Sequence, residues 1–276
     1  PNEKLARHMF NLVRVPGAYC YRCSFGMDYP SCGIECARFI EETIQHSGPV
    51  SALFMEPIQG NGGQVTFPPE FHLKVRELCD KNDVLLVYDE VQTGFARVPA
   101  MFACRLYDVV PDIIIYGKGI GGGFPLAGTL SRAGLPKFEP GDHGFTFGHF
   151  PVSLAAALEN LRVIEDENLL QRCSELGDLI MGRLRELLDS CELIGDIRGE
   201  GLMIGIELVK DRKAKTPAIE ETQAIARDAL EQGVLLGTSK YHGMGNVLKI
   251  KPPVVISEGQ IERVLQVLEK LLKKYA

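Results

Sequence analysis

Hydrophobic and polar positions alternate along the chain as short apolar runs and longer amphipathic stretches. Ile34, Ala37, Ile40 and Ile44 recur at i, i+3, i+6 and i+10, which predicts a helix over about 31–47. Residues before it are punctuated by Pro16-Gly17, Gly26 and Pro30 and read as loop. Val50–Met55 reads as a strand, Phe71–Lys81 as a helix, Val84–Tyr88 and Ile113–Tyr116 as strands. The last two runs show no period-2 alternation, so burial on both faces is expected. Strands alternating with helices predict a mostly parallel sheet flanked by helices, an α/β fold.

Pro151–Glu165 and Asn168–Ser190 predict two long helices with a break near Asp166. Beyond Cys191 the elements shorten. Strands are expected at Met203–Leu208, Val234–Gly237 and Val247–Ile250, and helices at Ile219–Gln232 and Ser257–Tyr275, with Ser257 as N-cap of the last. This tail reads as a small α+β domain. The expected division is a large domain over 1–170 and a small C-terminal one over 171–276.

Length agrees, since 276 residues are long for one domain and short for three. The 45% hydrophobic and 24% charged content excludes disorder as a description of the whole. The net charge of -6 lacks the footprint of a nucleic-acid binder. Apolar runs such as Val84–Val87 are too short to span a bilayer. Pro1-Asn2-Glu3-Lys4 leads into no apolar segment, and the eight cysteines are scattered, so a cytoplasmic setting without a disulfide framework is expected.

The chemistry lies where apolar strands end. Val50–Met55 is followed by Glu56-Pro57-Ile58-Gln59-Gly60, Val84–Tyr88 by Asp89-Glu90-Val91-Gln92, and Ile113–Tyr116 by Gly117-Lys118-Gly119. Ligands of open α/β sheets bind outside the carboxyl ends of strands, so Glu56, Asp89, Gln92 and Lys118 are expected around one crevice. A lysine flanked by glycines can be approached closely, and a desolvated lysine forms imines. A solvated loop lysine is the alternative for Lys118 alone. Pyridoxal phosphate needs both a lysine and an acid for its ring nitrogen.

The runs EPIQGNGG, VYDEVQTGFAR, PDIIIYGKGIGGGFPLAG and HGFTFGHFPVSLAAALENL, with the later IRGEGLMIGIEL and LKIKPPVVIS, resemble class III pyridoxal-phosphate aminotransferases. That family includes ornithine, acetylornithine and 4-aminobutyrate enzymes and some racemases and lyases. The resemblance implies a fold-type-I transferase, active as a homodimer or tetramer. It implies transfer of an amino group from an amino acid or ω-amino acid to a 2-oxo acid. Lys118 then resembles the lysine of the internal aldimine, which also moves the proton, and Asp89 the partner of the pyridinium nitrogen. Gln92 resembles the residue that bonds the ring hydroxyl, and Val91 the residue packed on the ring face. Thr146 resembles the residue that reaches the phosphate across a dimer interface, and Glu56 the switchable acid of the substrate pocket.

Two departures stand out. Where the family commonly has arginine for the substrate carboxylate, this chain has Lys249, in Lys249-Ile250-Lys251-Pro252-Pro253. Lysine is a point charge without arginine's planar fork, so a racemase or phospholyase of the same family is the alternative reaction. Solvated edge-strand lysines are the bland alternative for Lys249 and Lys251. The family's N-terminal phosphate-cradling loop and ring-stacking aromatic also have no counterpart here. An inactive fragment that needs a second chain is therefore the third alternative.

Cys20, Cys23, Cys32 and Cys36 have spacings that suit a zinc site or four independent thiols, and no metal is assigned. Glu90 adjoins Asp89 on a strand, so the two must face opposite ways. The lysine of GKGIGGG precedes its glycines, which excludes a Walker loop. His143, His149 and His242 lack partners at motif spacing and read as turn or surface residues.

Overall fold

The computed structural model describes residues 12–136, 138–142, 144, 146, 148–239 and 245–276. Pro1 to Lys4, His143 and His242 lie outside them. Among the described residues no helix is long and apolar enough to cross a membrane.

Helix α1 (Glu35–His46) leads to β1 (Ala52–Met55), a short hairpin of β2 (Ile58–Gln59) and β3 (Val65–Thr66), and α2 (Pro69–Lys81). Strands β4 (Leu85–Asp89), β5 (Ile113–Tyr116) and β6 (Gly128–Ser131) follow. The first sheet has the order β1-β4-β5-β6, with β1, β4 and β5 parallel and β6 antiparallel. Leu86 and Tyr88 of β4 join Phe71, Val75 and Leu78 of α2 and Ala37 and Ile40 of α1 in one core. Strand β4 is buried on both faces, as its unbroken apolar run predicts. Strand β5 is only half-buried, and Phe54 of β1 is 67% exposed. The expectation of burial on both faces thus holds for β4 and fails for β5. Period-2 geometry sends Leu53 and Met55 to the helix-covered face and Phe54 to the other.

Helices α3 (Pro151–Asp166) and α4 (Leu169–Ser190) precede a second, antiparallel sheet. Its strands are β7 (Ile194–Glu200), β8 (Met203–Asp211), β10 (Gly237–Thr238) and β11 (Val247–Ile250), in the order β10-β11-β8-β7, with β9 (Thr216–Pro217) beside β8. Helix α5 (Ile219–Glu231) and α6 (Glu258–Tyr275) complete the chain. The second core gathers Cys173, Leu176, Ile180 and Leu184 of α4, Ile204 and Ile206 of β8, and Leu265 and Leu268 of α6. Ser257 caps α6 in a reciprocal capping box with Gln260.

The two-residue strands β2, β3 and β9 carry no pattern to read, and three further segments depart from the sequence expectation. Strand β7 was not foreseen, because Gly195, Asp196, Arg198 and Gly199 break its apolar pattern. Strand β6 was not foreseen either: it is an exposed edge with no apolar face to read. Val234–Gly237 does not form the strand expected there; pairing begins only at Gly237, while Val234 and Leu236 pack into the core as irregular chain.

His72 on α2 is fully buried, stacked on Tyr107 at 3.8 Å, with Nδ1 2.9 Å from the Tyr88 hydroxyl. Burial pushes its pKa down to about 3. A depressed value means the contribution to stability is present above the unfolded value of about 6.5 and is lost as pH falls toward 3. The expected loss approaches about 1.4 kcal/mol per pH unit below pH 6. Thermal unfolding at pH 7, 5 and 4 checks it: the His72→Gln variant should show a flatter dependence, and equal slopes would refute the assignment.

Candidate active site

Because β1, β4 and β5 run parallel as neighbours, their carboxyl ends share one edge of the sheet. Register pairs Met55 with Tyr88 and Asp89 with Ile115. Glu56, Asp89 and Lys118 therefore emerge side by side, as their order in the sequence predicts. Lys118 opens a single 3-10 turn, Lys118–Gly121, and adopts the left-handed region at φ 47°. Its Nζ donates to Gln92 Oε1 at 3.3 Å. Asp89 Oδ1 accepts the Val91 N–H at 3.0 Å, which fixes the turn leaving β4. Val91 lies against Gly117, where a Cβ would come 3.5 Å from its Cγ1.

Glu56 Oε2 accepts the Gly60 N–H at 2.8 Å. Gly60 in turn abuts Gln92: a Cβ there would sit 2.5 Å from Gln92 Oε1 and would push the Gln92 amide aside. Gln92 Nε2 is buried with no hydrogen-bond partner among the described residues. Burial, then the charge of Asp89, raises the pKa of Glu56, against the opposing pull of the Gly60 N–H and Lys118. Partial burial, then the charges of Arg97 and Lys118, lowers that of Lys251. Lys118 is thus the cation that acts on both Glu56 and Lys251.

Lys249 is buried on β11 between Gly205 and Gly237, and its stem passes over Gly237. Leu248 and Ile250 enter the second core, whereas Lys249 shares the other face with Val247, whose methyls lie against Gly63. The solvated edge-strand alternative fails for Lys249, because β11 is an inner strand and the residue is buried; Lys251 is exposed but lies beyond the end of β11. Thr146 is exposed in the turn before α3, and no hydrogen bond among the described residues joins it to the Lys118 cluster.

Glu90 faces away from Asp89, as strand geometry requires. It is fully buried and accepts from the Thr93 hydroxyl and from the backbone N–H groups of Ala103 (2.8 Å) and Cys104 (2.7 Å). Cys20, Cys23, Cys32 and Cys36 line one shallow pocket. No group of three or more His, Cys, Asp or Glu among the described residues is arranged to hold a metal.

Three features escaped the sequence reading. Asn160 of α3 donates to the Gly119 carbonyl at 2.9 Å and so steadies the Lys118 turn; no sequence signal marks it. Arg97 donates to the carbonyls of Leu202 (3.1 Å) and Pro252 (2.6 Å), tying the first sheet's loops to the second sheet. A buried cluster centres on Glu207, which accepts from Tyr19, Arg22 and Arg198. The one acid inside the apolar run of β8 was its legible trace.

The family model described as aminotransferase class-III matches residues 11–272. A leucine/methionine racemase of Thermococcus litoralis is 38% identical over 262 residues, 94% of this chain and 58% of the racemase. An acetylornithine aminotransferase of Methanothermobacter thermautotrophicus is 44% identical over 220 residues, 79% of this chain and 53% of that enzyme. The solved structure of an ω-transaminase from Pseudomonas jessenii in complex with PMP superposes with a TM-score of 0.85 at 28% identity, covering 96% of this chain and 62% of that one. The chain thus spans less than two thirds of the length of each.

Proposed function

The chain belongs to the class-III aminotransferase family, and on that premise we propose that it serves pyridoxal-phosphate-dependent transfer of an amino group from an amino acid or ω-amino acid to a 2-oxo acid. The observation that carries this reading is Lys118 Nζ resting 3.3 Å from Gln92 Oε1 at the strand edge that also bears Asp89. The residues fit the ring end of the cofactor. Gln92 brings a buried, unsatisfied N–H, Asp89 an anionic acceptor, and Gly117 and Gly119 leave the lysine accessible.

When bound, the cofactor supplies the electron sink for charge developing at the substrate carbon. Asp89 keeps the ring nitrogen protonated through its carboxylate. Gln92 Nε2 would donate to the ring hydroxyl, and Val91 would pack on the ring. Lys118 would hold the cofactor through Nζ, and the same Nζ would accept and return the proton that moves at the substrate carbon. Lys249 offers the cation for a substrate carboxylate, and Glu56 the anion for a substrate's distal ammonium group. Thr146 contributes to the phosphate of a neighbouring subunit in a cytoplasmic homodimer or tetramer. The remainder of the phosphate site comes from outside the described residues, whether in the same or a separate chain.

A second reading rests on Lys249 standing where the family commonly has arginine, and it draws support from the racemase relative. In it a proton is delivered back to the same carbon from the opposite face, as in racemisation, or a proton is lost from one carbon while the C–O bond to phosphate breaks at the next and inorganic phosphate departs.

The test is incubation with pyridoxal phosphate, borohydride reduction and peptide mapping. A label on Lys118 is expected, and labelling elsewhere without Lys118 would refute the reading. Incubating an amino acid with and without a 2-oxo acid separates the reactions. Turnover that demands the acceptor favours transfer; racemisation or phosphate release without it favours the second reading.

A further inference from the structure

Arg198 is 8% exposed and stands at the centre of the buried cluster. Its Nη1 donates to Glu207 Oε2 (2.8 Å) and Asp196 Oδ2 (2.6 Å), and its guanidinium lies over the Tyr19 ring at 4.8 Å. The other side of the fork reaches across to the first sheet's loop. Nε and Nη2 both donate to the Gly63 carbonyl, at 3.2 and 3.0 Å. Gly63 has φ 112°, and a Cβ there would press on Val247 and the guanidinium, so only glycine brings the carbonyl this close.

From that carbonyl an unbroken run of contacts leads to the site. The Gly63 N–H donates to the Gly60 carbonyl at 3.3 Å. The Gly60 N–H holds Glu56, and its Cα abuts the Gln92 amide that receives Lys118. Glu207 keeps the guanidinium oriented, and Tyr19 and Arg22 keep Glu207 oriented. We propose that Arg198 is a positioning residue: by gripping the Gly63 carbonyl it sets the Gly60–Gly63 turn, and through it the placement of Glu56 and Gln92 at Lys118. A planar fork is required, because Nη1 faces Asp196 and Glu207 while Nε and Nη2 face Gly63, a span that the three donors on a single ammonium nitrogen do not cover. The consequence for Lys118 rests on the function proposed above; the control of the turn does not.

The test is amide hydrogen exchange in the full chain without cofactor, comparing Arg198→Lys with the unsubstituted protein. Exchange at Gly60 and Gly63 should quicken about tenfold, the equivalent of one lost charged hydrogen bond, while α2 and β4 keep their protection. Asp196→Asn, which loosens Arg198 from one side, should quicken the same amides by a smaller factor, and it carries the test alone if Arg198→Lys does not fold. Unchanged exchange at both glycines in the folded variant overturns the proposal. So does a rise spread evenly over α2 and β4, which marks general destabilisation. Reductive labelling of Lys118 should also slow in Arg198→Lys. Absence of label in the unsubstituted chain would sink the functional reading and leave the exchange result standing.

Discussion

Replacing Lys118 by alanine should lower turnover at least about 10^3-fold while leaving the fold intact. The side chain is exposed, and its one described hydrogen bond, to Gln92, contributes little to stability. Thermal unfolding should therefore move by no more than about 0.5 kcal/mol. Chemistry is another matter, because on the proposed function alanine removes both the covalent anchor and the base that moves the proton. Initial rates with a saturating acceptor, taken beside a melting curve, check both halves of the expectation. Ordinary activity in Lys118→Ala would end the assignment of this lysine, and a collapsed melting curve would show that it is structural.

The second large effect separates two neighbouring acids. Glu90→Ala should cost about 3–5 kcal/mol of stability, because it strands two buried backbone N–H groups and a buried hydroxyl. In a chain of this size that is a fall in melting temperature of roughly 10 °C. Asp89→Ala should leave the melting temperature within a few degrees and strip the proton-holding carboxylate from the site, with a loss of activity of at least about 10^2-fold. Calorimetry and rate measurement on the pair decide the point. Equal melting curves for the two variants would mean that Glu90 is not the structural acid of the turn.

The alternation of apolar runs with polar strand ends made the parallel sheet and the Glu56, Asp89, Gln92, Lys118 edge legible. Parallel register forces consecutive strand ends together whatever the side chains are. What pattern could not show depended on partners distant in sequence. Arg198 looks like a solvent-facing residue in a broken strand until Glu207 and the Gly63 carbonyl are placed beside it. Asn160 is one polar residue on a helix until the Gly119 carbonyl arrives. Strand β6 has no signature of its own because pairing with β5, and not burial, defines it. Lys249 and Lys251 look equivalent in sequence. The ladder decides between them, placing the first inside an inner strand and the second beyond its end.

The left-handed backbone of Lys118 bears on how such a site ages. A side chain with a Cβ costs about 1 kcal/mol in that conformation, and glycine escapes most of the cost. Were the chemistry no longer needed, Lys118→Gly would be tolerated by the fold and even mildly favoured. Nothing in the fold would then hold this lysine in place. In a lineage that has set the activity aside, this lysine should be among the first residues to drift, leaving a well-folded and silent descendant. If Lys118 acts as proposed, screening relatives at this one position sorts working copies from retired ones without any measurement of stability.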